Sequence, residues 1–441
     1  SSIAKLLKYK TEGARIRSRD QWSEADGSTS KLFFALEKAR GVKTHISFLE
    51  DMEINGDEIE YTENPNPHAP QEETEKVNIT YKFYKALFDK KITMAQAQVT
   101  LLRFTKKLSE EQKQKADRPL SLDELTAAVK KLGTNKSPGP DGISAEFLQA
   151  FWELLGQDLL DALNSAQHKL KMRGSHNFKS LNEGTQTILY KNKGVREKLK
   201  NYRPITMLNA CYKVLATAMA DRTAEVIKSL VHSDQTGFMK GRYIVDNVRL
   251  MMDVMHHCNQ EEIDGIIVML DMEKAYDRVD QEWIFKCLQK NNFGDSYQLW
   301  VKLMYTNATK KVLCNKKLTK SIPVNSGVPQ GCPYSCYIFL LTIEPLHEMI
   351  RKTKECKGIT LPDGTEVKTS GFADDTGLYI NDPEAMKHFK AAIDLYCKAS
   401  AAKLNWNKCV GVTLGAEQRN TDRWDGMPGL EWMQDNQAER Y

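Results

Sequence analysis

The run Ile266-Ile267-Val268-Met269-Leu270 constrains this chain more than any other stretch. A continuous apolar segment of this length, rich in β-branched residues, is what a strand buried on both faces looks like. It ends at Asp271. A carboxylate at the mouth of a buried strand is costly unless a partner or a metal ion meets it. Taken alone, Asp271 reads equally well as a strand-terminal cap.

The second constraint is Gly371-Phe372-Ala373-Asp374-Asp375-Thr376-Gly377, followed by the strand-like Leu378-Tyr379-Ile380. Asp favours turns because its side chain bonds the nearby backbone, so a β-hairpin with both aspartates at its tip is expected. Two adjacent anions need an opposite charge between them, and a divalent cation supplies it. A lone Asp-Asp pair is more often an ordinary solvated turn. If this hairpin lies beside the Ile266–Leu270 strand, three carboxylates converge. Mg2+ takes hard oxygen ligands and combines one or two carboxylates with substrate phosphates. Two such ions are the usual device for phosphoryl transfer.

The remaining pattern alternates helices and strands. A basic helical region is expected over about 4–43, a hairpin at Asn55-Gly56, an exposed proline-rich loop over 64–71, and helices over 81–90 and 94–108. Ser121 with Glu124 makes a capping box, and Leu122, Leu125, Val129 and Leu132 share one helical face. Ser137-Pro138-Gly139-Pro140-Asp141-Gly142 must be a turn. Ser144 caps one long helix through Phe147, Phe151, Leu155, Leu159 and Leu163. A strand over 185–190 returns, after a basic turn, through Tyr202-Arg203-Pro204-Ile205. Helices over 209–229 and 246–258 flank a polar loop at 234–242. Beyond Asp271, Asp280 caps a helix carrying Trp283, a basic hairpin spans 311–324, and an apolar helix covers about 335–350. Asp382-Pro383 opens the last helix by N-cap and N1-proline logic. The fold class is α+β, a sheet with helices on one side.

Charge is unevenly spread although the net is only +5. Ten acidic residues and no Lys or Arg occupy Glu50 to Glu75, while Lys191 to Arg203 holds six basic residues against one Glu. Lys310, Lys311, Lys316, Lys317 and Lys320 form a second basic group. Each reads as solvated surface by itself; beside a carboxylate site, they suit a polyanion. The nine cysteines contain no Cys-x-x-Cys pair, which favours free thiols in the nucleus or cytoplasm. No apolar run reaches the roughly 18–20 residues of a membrane span. The amino end has neither an initiating Met nor a signal-peptide core, so the chain reads as a fragment.

Leu270-Asp271-Met272-Glu273-Lys274-Ala275-Tyr276-Asp277, Gly327-Val328-Pro329-Gln330-Gly331-Cys332-Pro333 and Phe372-Ala373-Asp374-Asp375 resemble three successive palm motifs of reverse transcriptases. Asn201-Tyr202-Arg203-Pro204-Ile205 and Ser137–Gly142 resemble fingers motifs. Asp234-Gln235-Thr236-Gly237-Phe238 with Gly241-Arg242, and the upstream Arg17-Ser18-Arg19 and Phe33-Phe34, resemble LINE-type (non-LTR) retrotransposon enzymes. The matches run in order along nearly the whole chain.

The resemblance implies a right-hand polymerase fold and RNA-templated DNA synthesis from a DNA primer and deoxynucleotides. Asp271, Asp374 and Asp375 would be the catalytic, metal-binding triad for two Mg2+ ions, with Mn2+ as a substitute. Tyr276 would be the gate beneath the incoming sugar, and Gln330 and Gly331 would meet the nascent base pair and template. Lys191 and Arg203 would contact the triphosphate as charge-assisted donors. Lys408 would protonate pyrophosphate, although a solvated lysine is an equal reading. The implied layout is an N-terminal extension (1–118), fingers with part of the palm (119–262), palm (263–415) and the start of a primer-grip region (416–441). The thumb is missing or incomplete, and endonuclease or zinc-binding domains are expected in the full-length protein. Three departures stand out: Pro329 and Tyr334 where a basic residue and Leu are usual, which would alter template contacts, and Ala401 for a usual Gly, which would rearrange its turn. The alternatives are a catalytically incompetent RNA-binding fragment and an RNA-directed RNA polymerase.

Overall fold

The computed structural model describes residues 45–56, 58–62, 71–176, 178–415, 424, 427 and 429–432. The expected helical region over 4–43 and most of the proline-rich loop lie outside them. β1 (Met52–Asn55) and β2 (Glu58–Tyr61) form the Asn55-Gly56 hairpin, with Gly56 at φ 64°. Helices α1 (Glu73–Phe88), α2 (Ala95–Leu102) and α3 (Glu110–Asp117) follow. Helix α2 stops short of the expected 108. Asn291 captures the chain there: its side-chain amide donates to the Lys106 carbonyl, and its own carbonyl accepts from the Leu108 N–H.

Helix α4 (Leu122–Lys130) begins at the expected Ser121–Glu124 capping box, with both reciprocal bonds present. The single helix expected after Ser144 is broken in two, α5 (Ala145–Ala150) and α6 (Trp152–Arg173). Phe151 leaves helical geometry at the break, which turns Trp152 inward so that its indole N–H donates to the Thr126 hydroxyl at 2.8 Å. Phe147 and Phe151 stay largely exposed and pack on each other.

Next come β3 (Glu183–Tyr190), β4 (Tyr202–Leu208), α7 (Ala210–Val226), α8 (Ile244–Gln260), β5 (Gly265–Leu270) and the single turn α9 (Ala275–Arg278). Then follow α10 (Gln281–Lys290), capped by Asp280 as expected, α11 (Asp295–Tyr305), β6 (Thr309–Cys314), β7 (Lys317–Leu318) and β8 (Ile322–Pro323). The last part holds α12 (Ser335–Lys352), β9 (Ile359–Thr360), β10 (Glu366–Val367), β11 (Thr369–Phe372), β12 (Asp375–Ile380), α13 (Pro383–Ser400), β13 (Val410–Leu414) and β14 (Glu431–Trp432).

Two sheets carry the architecture. The first runs β4-β3-β6-β7, with β8 also on β6; the second runs β11-β12-β5-β13-β14. β5 is central in the second, paired antiparallel to β12 (Thr376 opposite Leu270, Ile380 opposite Ile266) and to β13. Its alternate residues serve two cores, as strand geometry requires. Ile266, Val268 and Leu270 join the main core with α10, α12 and α13, while Ile267 packs with Tyr379 and with Val254 and Cys258 of α8. Helices therefore cover both faces of this sheet, correcting the one-sided expectation. The continuous apolar run needed that cover, because neither face of the strand is polar.

Part of the described N-terminal region packs into the main core. Leu101, Leu108 and Ala116 belong to the same core as Ile266, and the buried Gln98 amide donates to the Ala399 carbonyl of α13 at 2.9 Å. Among the described residues no helix is long and apolar enough to cross a membrane.

Candidate active site

β5 delivers Asp271 to the carboxyl end of the central strand of the second sheet, and the chain there is held by the segment before β13. The Asn405 N–H donates to the Asp271 carbonyl at 2.9 Å, and the Glu273 N–H to the Lys403 carbonyl at 2.8 Å. On the neighbouring strand pair, Phe372 stands opposite Asp375, leaving Ala373-Asp374 as a two-residue turn. Ala373 has φ 59°, a left-handed value for a residue with a Cβ. Because Thr376 pairs with Leu270, Asp375 follows beside Asp271 across the β12–β5 ladder.

The electrostatics agree with convergence. Burial raises the Asp374 carboxyl, and Asp375 and Asp271 raise it further while Lys191 opposes them. Burial and then Asp271 raise Asp375. Hard-oxygen donors are the chemistry a divalent cation takes, but their placement does not by itself make a metal cluster. Among the described residues no group of three or more His, Cys, Asp and Glu side chains is disposed to hold a metal ion.

Lys191 follows β3 and Arg203 lies on β4 of the first sheet, while Lys408 lies just before β13 of the second. Burial depresses the Lys191 ammonium, and Lys408 and Arg203 depress it further, with Asp271 and Asp277 opposing. Lys191, Lys408 and Arg203 therefore share one electrostatic neighbourhood with Asp271. Arg203 lies on β4 opposite Leu189 with its side chain exposed. The acidic and basic stretches partly answer each other instead of both facing solvent. Glu50 pairs with Lys198 at 3.4 Å, the Tyr61 hydroxyl accepts from the Lys200 N–H, and Glu58 lies 3.7 Å from Lys403.

Tyr276, on α9, stacks on Phe339 with ring centroids 4.6 Å apart. Burial, then Cys336 and the aspartates Asp374 and Asp375, push its phenol upward. Gln330 and Gly331 sit against β4: the Thr206 N–H donates to the Gln330 carbonyl at 2.9 Å. Gly331 has φ 105°, and a Cβ there would stand 2.8 Å from the Thr206 carbonyl oxygen, so only glycine fits.

Several residues in this region escaped the sequence reading. Asp277 is buried and accepts from the Gln330 side-chain amide at 3.2 Å. Lys274, pushed down to about 8 by burial, donates to the Tyr202 carbonyl. Lys310, grouped by sequence with exposed lysines, is buried over the Phe88 ring at 4.4 Å and also held at about 8 by burial. Gln235, quoted only as part of a family signature, is fully buried against the Ala373 turn.

Two of the departures also resolve. Tyr334 is buried, and its hydroxyl bonds that of Tyr297, so it faces the core and not a template. Ala401 keeps the left-handed conformation that glycine adopts freely, with φ 62° at the end of α13. The turn is retained at the cost of strain.

Residues 190–434 match the family model described as reverse transcriptase (RNA-dependent DNA polymerase). The chain is 33% identical over 417 residues to the transposon TX1 uncharacterized 149 kDa protein of Xenopus laevis, covering 94% of this chain and 30% of that protein. It is 22% identical over 302 residues to a retrovirus-related Pol polyprotein from type-1 retrotransposable element R2 of Popillia japonica, covering 68% and 40%. It is 25% identical over 219 residues to the probable RNA-directed DNA polymerase from transposon BS of Drosophila melanogaster, covering 48% and 23%. The chain thus spans well under half the length of each of these relatives. With that model matched over more than half of its length, the chain belongs to the reverse transcriptase (RNA-dependent DNA polymerase) family, of the LINE-type, non-LTR retrotransposon kind.

Proposed function

We propose that this chain is the polymerising core of a non-LTR retrotransposon protein, adding deoxynucleotides to a DNA primer 3′-hydroxyl on an RNA template. What supports the reading is the strand register, which carries Asp271 and Asp375 to adjacent strand ends with Asp374 in the turn just before. In this reading the first sheet, including β6 and β8, is the fingers and the second sheet is the palm. The layout 1–118, 119–262, 263–415 and 416–441 then needs one amendment, that residues 309–323 belong with the fingers.

Asp271, Asp374 and Asp375 are the residues that would hold two Mg2+ ions, with substrate phosphates completing the coordination. When bound, Mg2+ activates the attacking 3′-oxygen and offsets charge on the leaving oxygen. Lys191 and Arg203 would meet the triphosphate, and Lys408 would give a proton to departing pyrophosphate. Tyr276 presents a flat, packed ring beneath the sugar, where a 2′-hydroxyl would collide with it. Gln330 and Gly331 support the nascent base pair from the β4 side. Further endonuclease or zinc-binding domains suit the greater length of the relatives, and a nuclear and cytoplasmic location suits the substrate and the free thiols.

Primer extension on poly(A)–oligo(dT) with Mg2+ tests the reading. Extension by the parent, its loss in Asp374→Ala with RNA binding retained, and ribonucleotide entry in Tyr276→Ala are expected. RNA binding without extension by the parent would leave a binding fragment, and extension by Asp374→Ala would overturn the site.

A further inference from the structure

The metal-binding turn is not self-supporting. Ala373 holds a left-handed φ of 59° between two carboxylates and one strand, a conformation that costs a residue with a Cβ and persists only where neighbours impose it. The neighbour that imposes it is 138 positions away in sequence. The Gln235 side-chain oxygen accepts from the Ala373 N–H at 2.9 Å and from the Gly237 N–H at 3.0 Å, and its amide nitrogen donates to the Ala373 carbonyl at 3.3 Å. One side chain therefore ties both backbone polar groups of the strained residue.

The segment around Gln235 is built for this contact. Gln235 bridges Gly371 in parallel, with the Gly371 N–H donating to the Asp234 carbonyl and the Thr236 N–H to the Gly371 carbonyl. A Cβ on Gly237 would lie 2.2 Å from the Ala373 nitrogen, and one on Gly371 would lie 2.5 Å from the Gln235 amide nitrogen. Gly237 lets the two backbones touch, and Gly371 leaves room for the Gln235 side chain. From behind, Arg351 grips the Asp234 carboxylate with two hydrogen bonds of 2.6 and 2.8 Å, and Arg242 donates to the Gln235 carbonyl at 2.7 Å.

We propose that Gln235 is a positioning residue that holds Ala373 in its left-handed conformation and thereby aims the Asp374 and Asp375 carboxylates at a shared divalent cation. The proposal rests on the metal-dependent reading of the site. It deepens that reading by assigning the turn's geometry to a residue that touches neither substrate nor metal.

Direct Mn2+ binding to the full chain, followed by electron paramagnetic resonance, gives a readout independent of polymerisation. Gln235→Met keeps the volume and removes every hydrogen bond. It should weaken Mn2+ binding and raise the half-saturating Mg2+ for primer extension by about tenfold, a usual effect of losing an outer-shell partner. Template–primer affinity and the thermal transition should stay near the parent's. Gln235→Glu keeps the accepting oxygen and should lose less. Ala373→Gly removes the strain that the contact opposes, so Gln235→Met should cost less in that background than alone. Mn2+ affinity and Mg2+ dependence within twofold of the parent in Gln235→Met would overturn the proposal. If Gln235→Met does not fold, equal Mn2+ affinity in Gln235→Glu and in Gln235→Asn, which cannot reach Ala373 equally, would overturn it. A parent that binds Mn2+ but never extends a primer defeats the polymerase reading and leaves the binding test of Gln235 standing.

Discussion

Asp277 accepts a hydrogen bond from the Gln330 side-chain amide, Oδ2 to Nε2 at 3.2 Å, inside a wall formed by Lys274 and Lys310. Burial raises the Asp277 carboxyl and the two lysines oppose that rise. Asp277→Ala would leave the partly buried Gln330 amide without its acceptor. Leaving a buried donor unsatisfied in this way costs roughly 1–3 kcal/mol. Urea denaturation should record a loss of that order, with a higher KM for deoxynucleotide in whatever folded fraction remains. Asp277→Asn, which can still accept from Gln330, should keep KM closer to the parent's.

Arg222 is 1% exposed and meets Glu124 through two hydrogen bonds of 2.8 and 2.6 Å. Glu124 also closes the capping box on Ser121. Burial works against its charge, but Arg222 and Ser121 hold its carboxyl below the usual range. Glu124→Ala removes the partner of a buried guanidinium together with a helix cap. It should lower stability by about 3–5 kcal/mol, seen as an earlier urea midpoint at unchanged slope.

Burial, partly offset by Arg351, raises Glu344 to about 7. The folded protein keeps this proton between about pH 4.5 and 7, where the unfolded chain has released it. Stability from this group is therefore present at low pH and lost as pH rises through that window. Glu344→Gln cannot titrate. The difference in unfolding free energy between variant and parent should grow in the variant's favour by roughly 1–3 kcal/mol from pH 4.5 to 7, then level off. A flat difference across the window would show that Glu344 carries its charge throughout.

Ala401 takes φ 62° at the end of α13. A left-handed residue with a Cβ is strained by roughly 1–2 kcal/mol, and glycine returns part of that as unfolded-state entropy. Ala401→Gly should stabilise the protein by about 0.5–1 kcal/mol. Calorimetry would register this as a higher melting temperature with RNA binding unchanged.

Much of the site could be read from short stretches. The β5 run, the Asp374-Asp375 hairpin and the Ser121, Ser144 and Asp280 caps occur where local pattern puts them, because apolar alternation, turn chemistry and capping are properties of neighbours in sequence. The errors share a different cause. Lys310 belongs to a lysine-rich stretch, yet a β-strand sends alternate side chains to opposite faces, and α1 covers the face on which Lys310 lies. The helix after Ser144 breaks at Phe151 because Trp152 finds Thr126 on another helix, a partner no helical periodicity contains.

The Asp374-Asp375 turn divides the two kinds of information. Sequence alone determined that a hairpin forms there, since the residues that decide it are adjacent. It expected both aspartates at the tip, whereas the turn is Ala373-Asp374 and Asp375 opens β12. Only the tertiary structure decided that Asp271 lies beside it and that Gln235 holds Ala373 in a strained conformation. A hydrogen bond between residues 138 positions apart has no local signature. It exists only once both segments are packed against the same sheet, where a buried amide must find its partners or pay the full cost of desolvation.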